Sequence, residues 1–200
     1  VLPLFFQGGP QHEPGTHWEY WNQGYALLTA VVEARSGMPF TDFSRRYVFR
    51  KAKLKHTGFN GDKPDKKDHV AVGLASRGEP RSALEHPYGS FGFQYRGMGG
   101  VVTNVWDLWR WDRALADHKV LKKPTTKAMF PPGPGDYGLG WFIRKPGGIT
   151  VQNHTGSVRG FLADMRRYPE RDGCIIVLCN DDSAPLHQIS ALLEKALQSF

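Results

Sequence analysis

Two cysteines in 200 residues leave little room for a disulfide framework. Cys174 and Cys179 stand five apart in "CIIVLCN". On a strand they would face opposite ways and lie roughly 16 Å apart, beyond the reach of about 7 Å that a disulfide allows. They are expected not to bond to each other, and they leave the compartment undetermined. Long apolar runs are absent too: none approaches the roughly 20 residues that a membrane span needs. The start of the chain has no basic segment followed by an apolar one, so no signal peptide is visible. His-x-x-x-His does not occur, and no His or Cys spacing has the form of a metal site.

What the chain does have is a globular composition. Hydrophobic residues make up 40%, charged residues 22% and aromatics 12%, enough for one domain or two small lobes sharing a core. The formal charge of +7 is concentrated at 45–67, from Arg45, Arg46 and Arg50 to Lys66 and Lys67, interrupted by Asp62 and Asp65. A solvated helix end and loop explains this stretch. A basic nucleic-acid face is the rival reading, with no nucleic-acid motif beside it.

The opening residues 1–13 read as a loop. "FFQGGP" resembles an engineered protease site, so a remnant and a natural loop are both open. Residues 22–35 have helical periodicity, with Tyr25, Leu28 and Val32 flanked by Ala26, Leu27, Val31 and Ala34, and a stop at Ser36-Gly37. The start has two solutions. Thr16-x-x-Glu19 fits a capping box and would put Tyr20 inside the helix; Asn22 as N-cap would leave Tyr20 on the preceding loop. A second helix starts at Thr41 or Asp42 and carries Phe43, Tyr47 and Val48, and loops with short strands fill 60–98. Asn104 caps a third helix, with Asp107 in its first turn and a core face of Val105, Leu108, Trp109 and Leu115. A short helix follows near 124–130.

Four strand candidates come next, at 137–143, 148–153, 161–169 and 174–180, with hairpin turns at Gly147-Gly148 and Asp172-Gly173. A helix over 185–199 closes the chain, with Leu186, Ile189, Leu192, Leu193, Ala196 and Leu197 on one face. The expected class is α+β: a mostly helical lobe over 14–132, then an antiparallel sheet with a covering helix over 133–200, the two forming one structural unit. Trp106, Trp109 and Trp111 are expected in packing roles.

Four segments, in order, carry a resemblance. "PGTHWEYWNQGYALLTAVVEARSG" (14–37) contains Tyr-x-Asn, "GMGGVVTNVWDLWRW" (97–111) a Gly-Gly-hydrophobic turn and an Asp-Leu helix, and "YGLGWFI" (137–143) and "HTGSVRGF" (154–161) two strands, the second bearing His-Thr-Gly. Together they resemble the beta-lactamase-related serine hydrolases, a superfamily of class C beta-lactamases, D,D-peptidases, D-aminopeptidases and esterases. The chain departs from the family twice. "KAKL" (51–54) stands where the family has a Pro-Leu-Gly-Met-like turn, and none of the nine serines is followed three residues later by lysine, so the Ser-x-x-Lys nucleophile motif is missing. In the family that motif precedes Tyr-x-Asn, so the chain resembles the C-terminal portion of the fold, without the N-terminal strands and the nucleophile helix.

The resemblance implies acyl transfer to serine followed by hydrolysis, on beta-lactam, D-amino-acid peptide or small ester substrates, with no cofactor or metal. It makes Tyr20 the proton-transfer residue, Asn22 an amide contact and His154 the residue in the family's His/Lys position, with Thr155, Gly156 and the Ser157 N–H as substrate and oxyanion contacts. Trp21 lies between two site candidates, and Arg159 is a further candidate for an anion contact. A tyrosine is about 0.1% ionised at pH 7, and lowering its pKa by two or three units takes roughly 3–4 kcal/mol, supplied by nearby cations. With the lysine absent, an activated Tyr20 is not expected in this chain alone. His before Thr-Gly points toward the peptidase, aminopeptidase and esterase relatives, and a binding module without catalysis is the alternative. The open apolar strand 174–180 is expected to pair with a missing N-terminal segment or with another copy. Relatives of this kind are often periplasmic or secreted, which leaves the localisation of this chain open.

Overall fold

The computed structural model describes residues 8–63, 69–85, 95 and 97–198; most of the opening stretch and part of the basic run lie outside these. The helices are α1 (Asn22–Ser36), α2 (Phe40–Ser44), α3 (Arg50–Ala52), α4 (Val105–Ala116), α5 (Lys123–Ala128) and α6 (Leu186–Gln198). The strands are β1 (Gly58–Phe59), β2 (Val72–Gly73), β3 (Arg81–Ser82), β4 (Val101–Val102), β5 (Phe142–Arg144), β6 (Val151–Val158), β7 (Phe161–Tyr168) and β8 (Gly173–Cys179). Helices come first and a four-stranded antiparallel sheet follows, in the order β5-β6-β7-β8, so the fold is α+β.

The register decides which side chains meet. Gln152 opposes Arg167 and His154 opposes Met165, which in turn opposes Ile176. Because side chains alternate along a strand, these residues share the face that packs on α4, where Leu115, Trp141, Ile143 and Met165 form one buried cluster. The other face carries Val151, Tyr168, Ile175 and Val177, which pack on Leu186 of α6. Cys174 and Cys179 are free, and Cys179 packs on the α6 side.

Several local expectations need correction. The buried stripe of α1 is Ala26 and Thr29, while Leu28 and Val31 are exposed. The stripe is small because the backbone at Gly97 comes very close: a Cβ there would sit 2.3 Å from the Thr29 methyl and 2.8 Å from the Tyr25 carbonyl. The second helix begins at Phe40, whose N–H donates to Glu33 (2.8 Å), and passes through a π-helical turn, Arg45–Phe49, before α3. Asn104 does cap α4, accepting the N–H of Asp107 at 2.9 Å. The residues that α4 buries, however, are Asp107, Asp112, Ala114 and Leu115, while Val105, Trp106 and Trp109 are exposed and Trp111 alone of its three tryptophans packs on the core. Leu192 and Leu193 of α6 are exposed, and Ser190 takes a buried place instead.

The buried aspartates are tied to cations and to backbone. Asp112 accepts from Arg167 (2.6 Å) and from Arg113, and Arg167 also donates to Gln152 (2.6 Å), its guanidinium lying 5.3 Å from the ring centre of Phe130 and 5.8 Å from that of Trp141. This network fastens α4 to β6 and β7. Asp107 accepts the N–H of His56 (2.6 Å) and the Thr57 hydroxyl (2.8 Å), and pairs with Arg110 (2.7 Å). Burial opposes its ionisation, but these donors outweigh that and hold its carboxyl below the ordinary carboxylate value.

The strands also shift. Of 137–143, only Phe142 and Ile143 fall in β5; Tyr137 makes an isolated bridge to Phe142 across a turn containing Gly138 and Gly140, the latter at φ +85°. β6 does not stop at Asn153 but runs on to Val158. β8 is one of the two edge strands of the sheet, and among the described residues a single bridge, Leu74 to Asp181, lies just past its end. Among the described residues no helix is long and apolar enough to cross a membrane.

Candidate active site

The helix start settles where Tyr20 lies. Trp21 is the N-cap, in extended conformation, and Asn22 is the first helical residue, with no side-chain cap. Thr16 bonds the Glu13 carbonyl (2.7 Å) instead of opening a helix. Tyr20 therefore sits on the lead-in to α1, and its hydroxyl donates to Asn22 Oδ1 at 3.3 Å. The indole of Trp21 is half exposed and lies over Gly24, where a Cβ would come within 3.1 Å of the ring.

From the sheet side, β6 delivers His154 to the same place. The rings of Tyr20 and His154 are 6.0 Å apart. Two further rings complete the cluster. Phe142 lies 6.4 Å from Tyr20 in a stacked pose and 5.7 Å from His154, and Tyr137 packs edge-on at 4.7 Å from Phe142 and 5.9 Å from Tyr20. Trp18 flanks Tyr137 at 6.1 Å.

The hydrogen bonds of His154 fix its tautomer. Nδ1 lies 2.7 Å from the Thr155 carbonyl, which only accepts, so Nδ1 carries a proton. In the neutral ring Nε2 then accepts the Tyr137 hydroxyl, at 3.0 Å. Tyr137 was not among the residues singled out from the sequence. Its only sequence signal was its place at the head of the "YGLGWFI" segment.

Neither phenol is poised to ionise. Burial, and then the neighbouring Tyr25, push the Tyr20 phenol above its ordinary value. Burial, and then the neighbouring Tyr25, raise Tyr137 much further. Among the described residues no serine hydroxyl is hydrogen-bonded to Tyr20, Asn22 or His154. The cluster thus brings a phenol, an amide and an imidazole together.

Thr155, Gly156 and Ser157 are exposed on β6. β5 pairs with β6 only as far as Asn153, so the β5-side edge of His154–Val158 has no strand partner among the described residues. At Gly156 a Cβ would meet only Ala163 Cβ, at an ordinary 3.7 Å. Nothing within the fold demands glycine there; the missing side chain clears space outside the strand. Arg159 turns to another loop, donating to the Arg77 carbonyl (3.1 Å). The cation beside the cluster is Arg144, whose guanidinium lies 5.4 Å from the Phe142 ring centre and makes no ion pair among the described residues.

A beta-lactamase family model matches residues 4–198. The chain belongs to the beta-lactamase family. It is 29% identical over 185 residues to a penicillin-binding protein of Bacillus subtilis (strain 168), covering 85% of this chain and 41% of that one. It is 24% identical over 204 residues to a D-aminopeptidase of Cereibacter sphaeroides (strain ATCC 17029 / ATH 2.4.9), covering 98% of this chain and 39% of that one. The fold matches the crystal structure of a penicillin-binding protein from Bacillus halodurans with a TM-score of 0.77 and 25% identity, over 98% of this chain and 60% of that one. The chain thus spans well under half the length of the two curated relatives. The α+β architecture described above is that of beta-lactamase-like folds, of which the neighbour contains more than this chain does.

Proposed function

We propose that this chain supplies the proton-handling and substrate-edge side of a serine acyl-transfer hydrolase, whose nucleophile comes from a Ser-x-x-Lys segment outside these 200 residues. The substrates are beta-lactams, D-amino-acid peptides or small esters. The observation that carries this reading is the meeting of Tyr20, Asn22 and His154 beside an unpaired strand edge cleared at Gly156. A substrate backbone adds to that edge as an extra strand. Tyr20 exchanges the proton of the incoming and leaving groups, Asn22 offers its NH₂ group to the substrate amide, and the Ser157 N–H serves as one oxyanion donor. Trp21 and Thr155 serve as further substrate contacts in this reading, and Arg144 gives a substrate carboxylate a partner close to the rings.

Taken alone, the chain is inactive in this reading. The lysine of a Ser-x-x-Lys segment would bring a positive charge to Tyr20, whose phenol burial and then Tyr25 push above its ordinary value. The same segment, or a second copy of the chain, pairs with the outer edge of β8. Fluorescent penicillin and a fluorophosphonate probe test the proposal. The chain alone should take no covalent label. A longer gene product carrying Ser-x-x-Lys should take it at that serine, and Tyr20→Phe in it should slow labelling by about 10²–10³-fold, the scale of losing an acid-base group. Labelling of the 200-residue chain at one of its own serines would overturn the assignment. A longer product that binds substrate without ever being labelled would favour the binding-module alternative.

A further inference from the structure

At the far end of β6, an open cleft of about 470 Å³ is lined by Ser76, Arg77, Gly78, Arg159 and Asp182. Its walls are pinned. Asp182 accepts the N–H of Ser76 (2.7 Å) and the N–H of Gly160 (2.9 Å), which joins the loop after β2 to the β6–β7 turn. Arg159 is anchored through Nε on the Arg77 carbonyl. Its guanidinium lies against Gly78, where φ is +92° and a Cβ would fall 1.5 Å from Nη2, so the contact requires glycine. Neither Arg77 nor Arg159 is in an ion pair within 4 Å among the described residues, and the bond to Arg77 leaves four of the five Arg159 N–H groups unused. Asp182 is held by backbone donors and also interacts electrostatically with Arg159, and two arginines against this one carboxylate leave the lining with an excess of one positive charge.

The cleft lies where the unpaired edge of β6 leads. Arg159 lies just past the end of β6, two residues beyond Ser157, whose N–H is the oxyanion donor proposed above, about 7 Å along the chain. A peptide adding antiparallel to β6 runs its N-terminal, acyl-side residues toward Val158. We infer that this cleft is a subsite for a carboxylate, borne by the acyl side of an extended peptide substrate about two residues from the reacting residue. The inference rests on the strand-edge site proposed above and narrows its substrate to an acidic peptide. A carboxylate suits the site because the guanidinium is fixed and presents a two-pronged N–H edge.

The test uses the 200-residue chain and two labelled probes, acetyl-Glu-Gly-D-Ala-D-Ala and its Gln counterpart, read by fluorescence anisotropy and by amide NMR shifts. The Glu probe should bind about five-fold more tightly, moving the amides of Gly78 and Gly160 as well as those of Thr155 and Gly156. Arg159→Ala or Arg77→Ala should erase the preference, and Arg159→Lys should restore part of it. Equal affinity of the two probes, with shifts at Thr155 and Gly156 only, would overturn the subsite and leave the strand-edge site standing. Shifts at Gly78 and Gly160 alone, kept by the Glu probe, would support a carboxylate site in the cleft and remove the strand-edge reading. No shift in either place would sink both.

Discussion

Replacing Asp112 with alanine should be among the most damaging changes to this fold. Asp112 is 1% exposed and Arg167 5%, and their bond (2.6 Å) joins α4 to β7. Truncation leaves Arg167 buried with Gln152 and a main-chain carbonyl as its remaining hydrogen-bond partners, and leaves Arg113 leaning on the exposed Asp172. Breaking a buried pair by removing one partner costs about 3–5 kcal/mol, because the other charge is stranded. For a chain of this size that is roughly a 6–20 °C fall in Tm, and a large part of a total stability of about 5–15 kcal/mol. Urea unfolding followed by tryptophan fluorescence is a suitable assay, since Trp141 lies beside the Arg167 guanidinium. The double variant Asp112→Leu/Arg167→Met removes both charges and should recover most of the loss. Gln152 stands two residues before His154 on the same face of β6, so the single variant should also disturb the His154 ring resonances. A loss below about 1 kcal/mol for Asp112→Ala, or a double variant as unstable as the sum of the singles, would refute the reasoning.

Three further outcomes are expected. Tyr137→Phe removes the donor to His154 Nε2 and should cost about 1 kcal/mol, with a change in the ring nitrogen shifts of His154; an unchanged nitrogen spectrum would contradict the bond. Asp107 has a depressed pKa in the fold, so its stabilisation is fully present above its unfolded value of about 3.9 and is lost as pH falls through the lower folded value. Acid unfolding curves of the parent and Asp107→Asn should therefore converge at low pH, and a gap that stays constant below about pH 4 would count against this. Burial pushes the Cys174 thiol up to about 11, so at pH 8 its thiolate is about 100-fold scarcer than that of a free cysteine. Iodoacetamide followed by peptide mass mapping should then alkylate Cys174 about 100-fold more slowly than a model thiol, and fast alkylation would show that the site opens.

Much of the architecture was legible because it rests on local signals. The Gly37 stop, the Asn104 cap and the Asp172 turn each depend on one residue's side chain or φ, and each stands where the pattern places it. What the pattern missed is what tertiary contacts decide. Apolar periodicity predicted that Leu28, Val105 and Trp109 would face inward, yet α1 buries alanine and threonine against the Gly97 backbone and α4 buries two aspartates. A periodicity argument scores Asp107 and Asp112 as surface residues. It cannot see that Arg167, 55 positions away, and the N–H of His56, 51 away, provide their partners.

The same distinction governs the site. Tyr20 and Asn22 are two residues apart, and their hydrogen bond is a local event that the helix start controls. Tyr137 reaches His154 across 17 residues and a turn containing Gly147 and Gly148, and no spacing rule brings those two together. Arg159 and Arg144 make the point with charge. Arg159 sits in the segment that carries His-Thr-Gly, but the Gly78 loop draws its guanidinium away, while Arg144 is brought to the rings only because β5 pairs with β6 in the observed register. A slip of β5 by one residue would turn Arg144 to the opposite face and carry Phe142 out of the cluster. The charge beside the Phe142 ring therefore depends on strand register, and the sequence motif alone does not determine it.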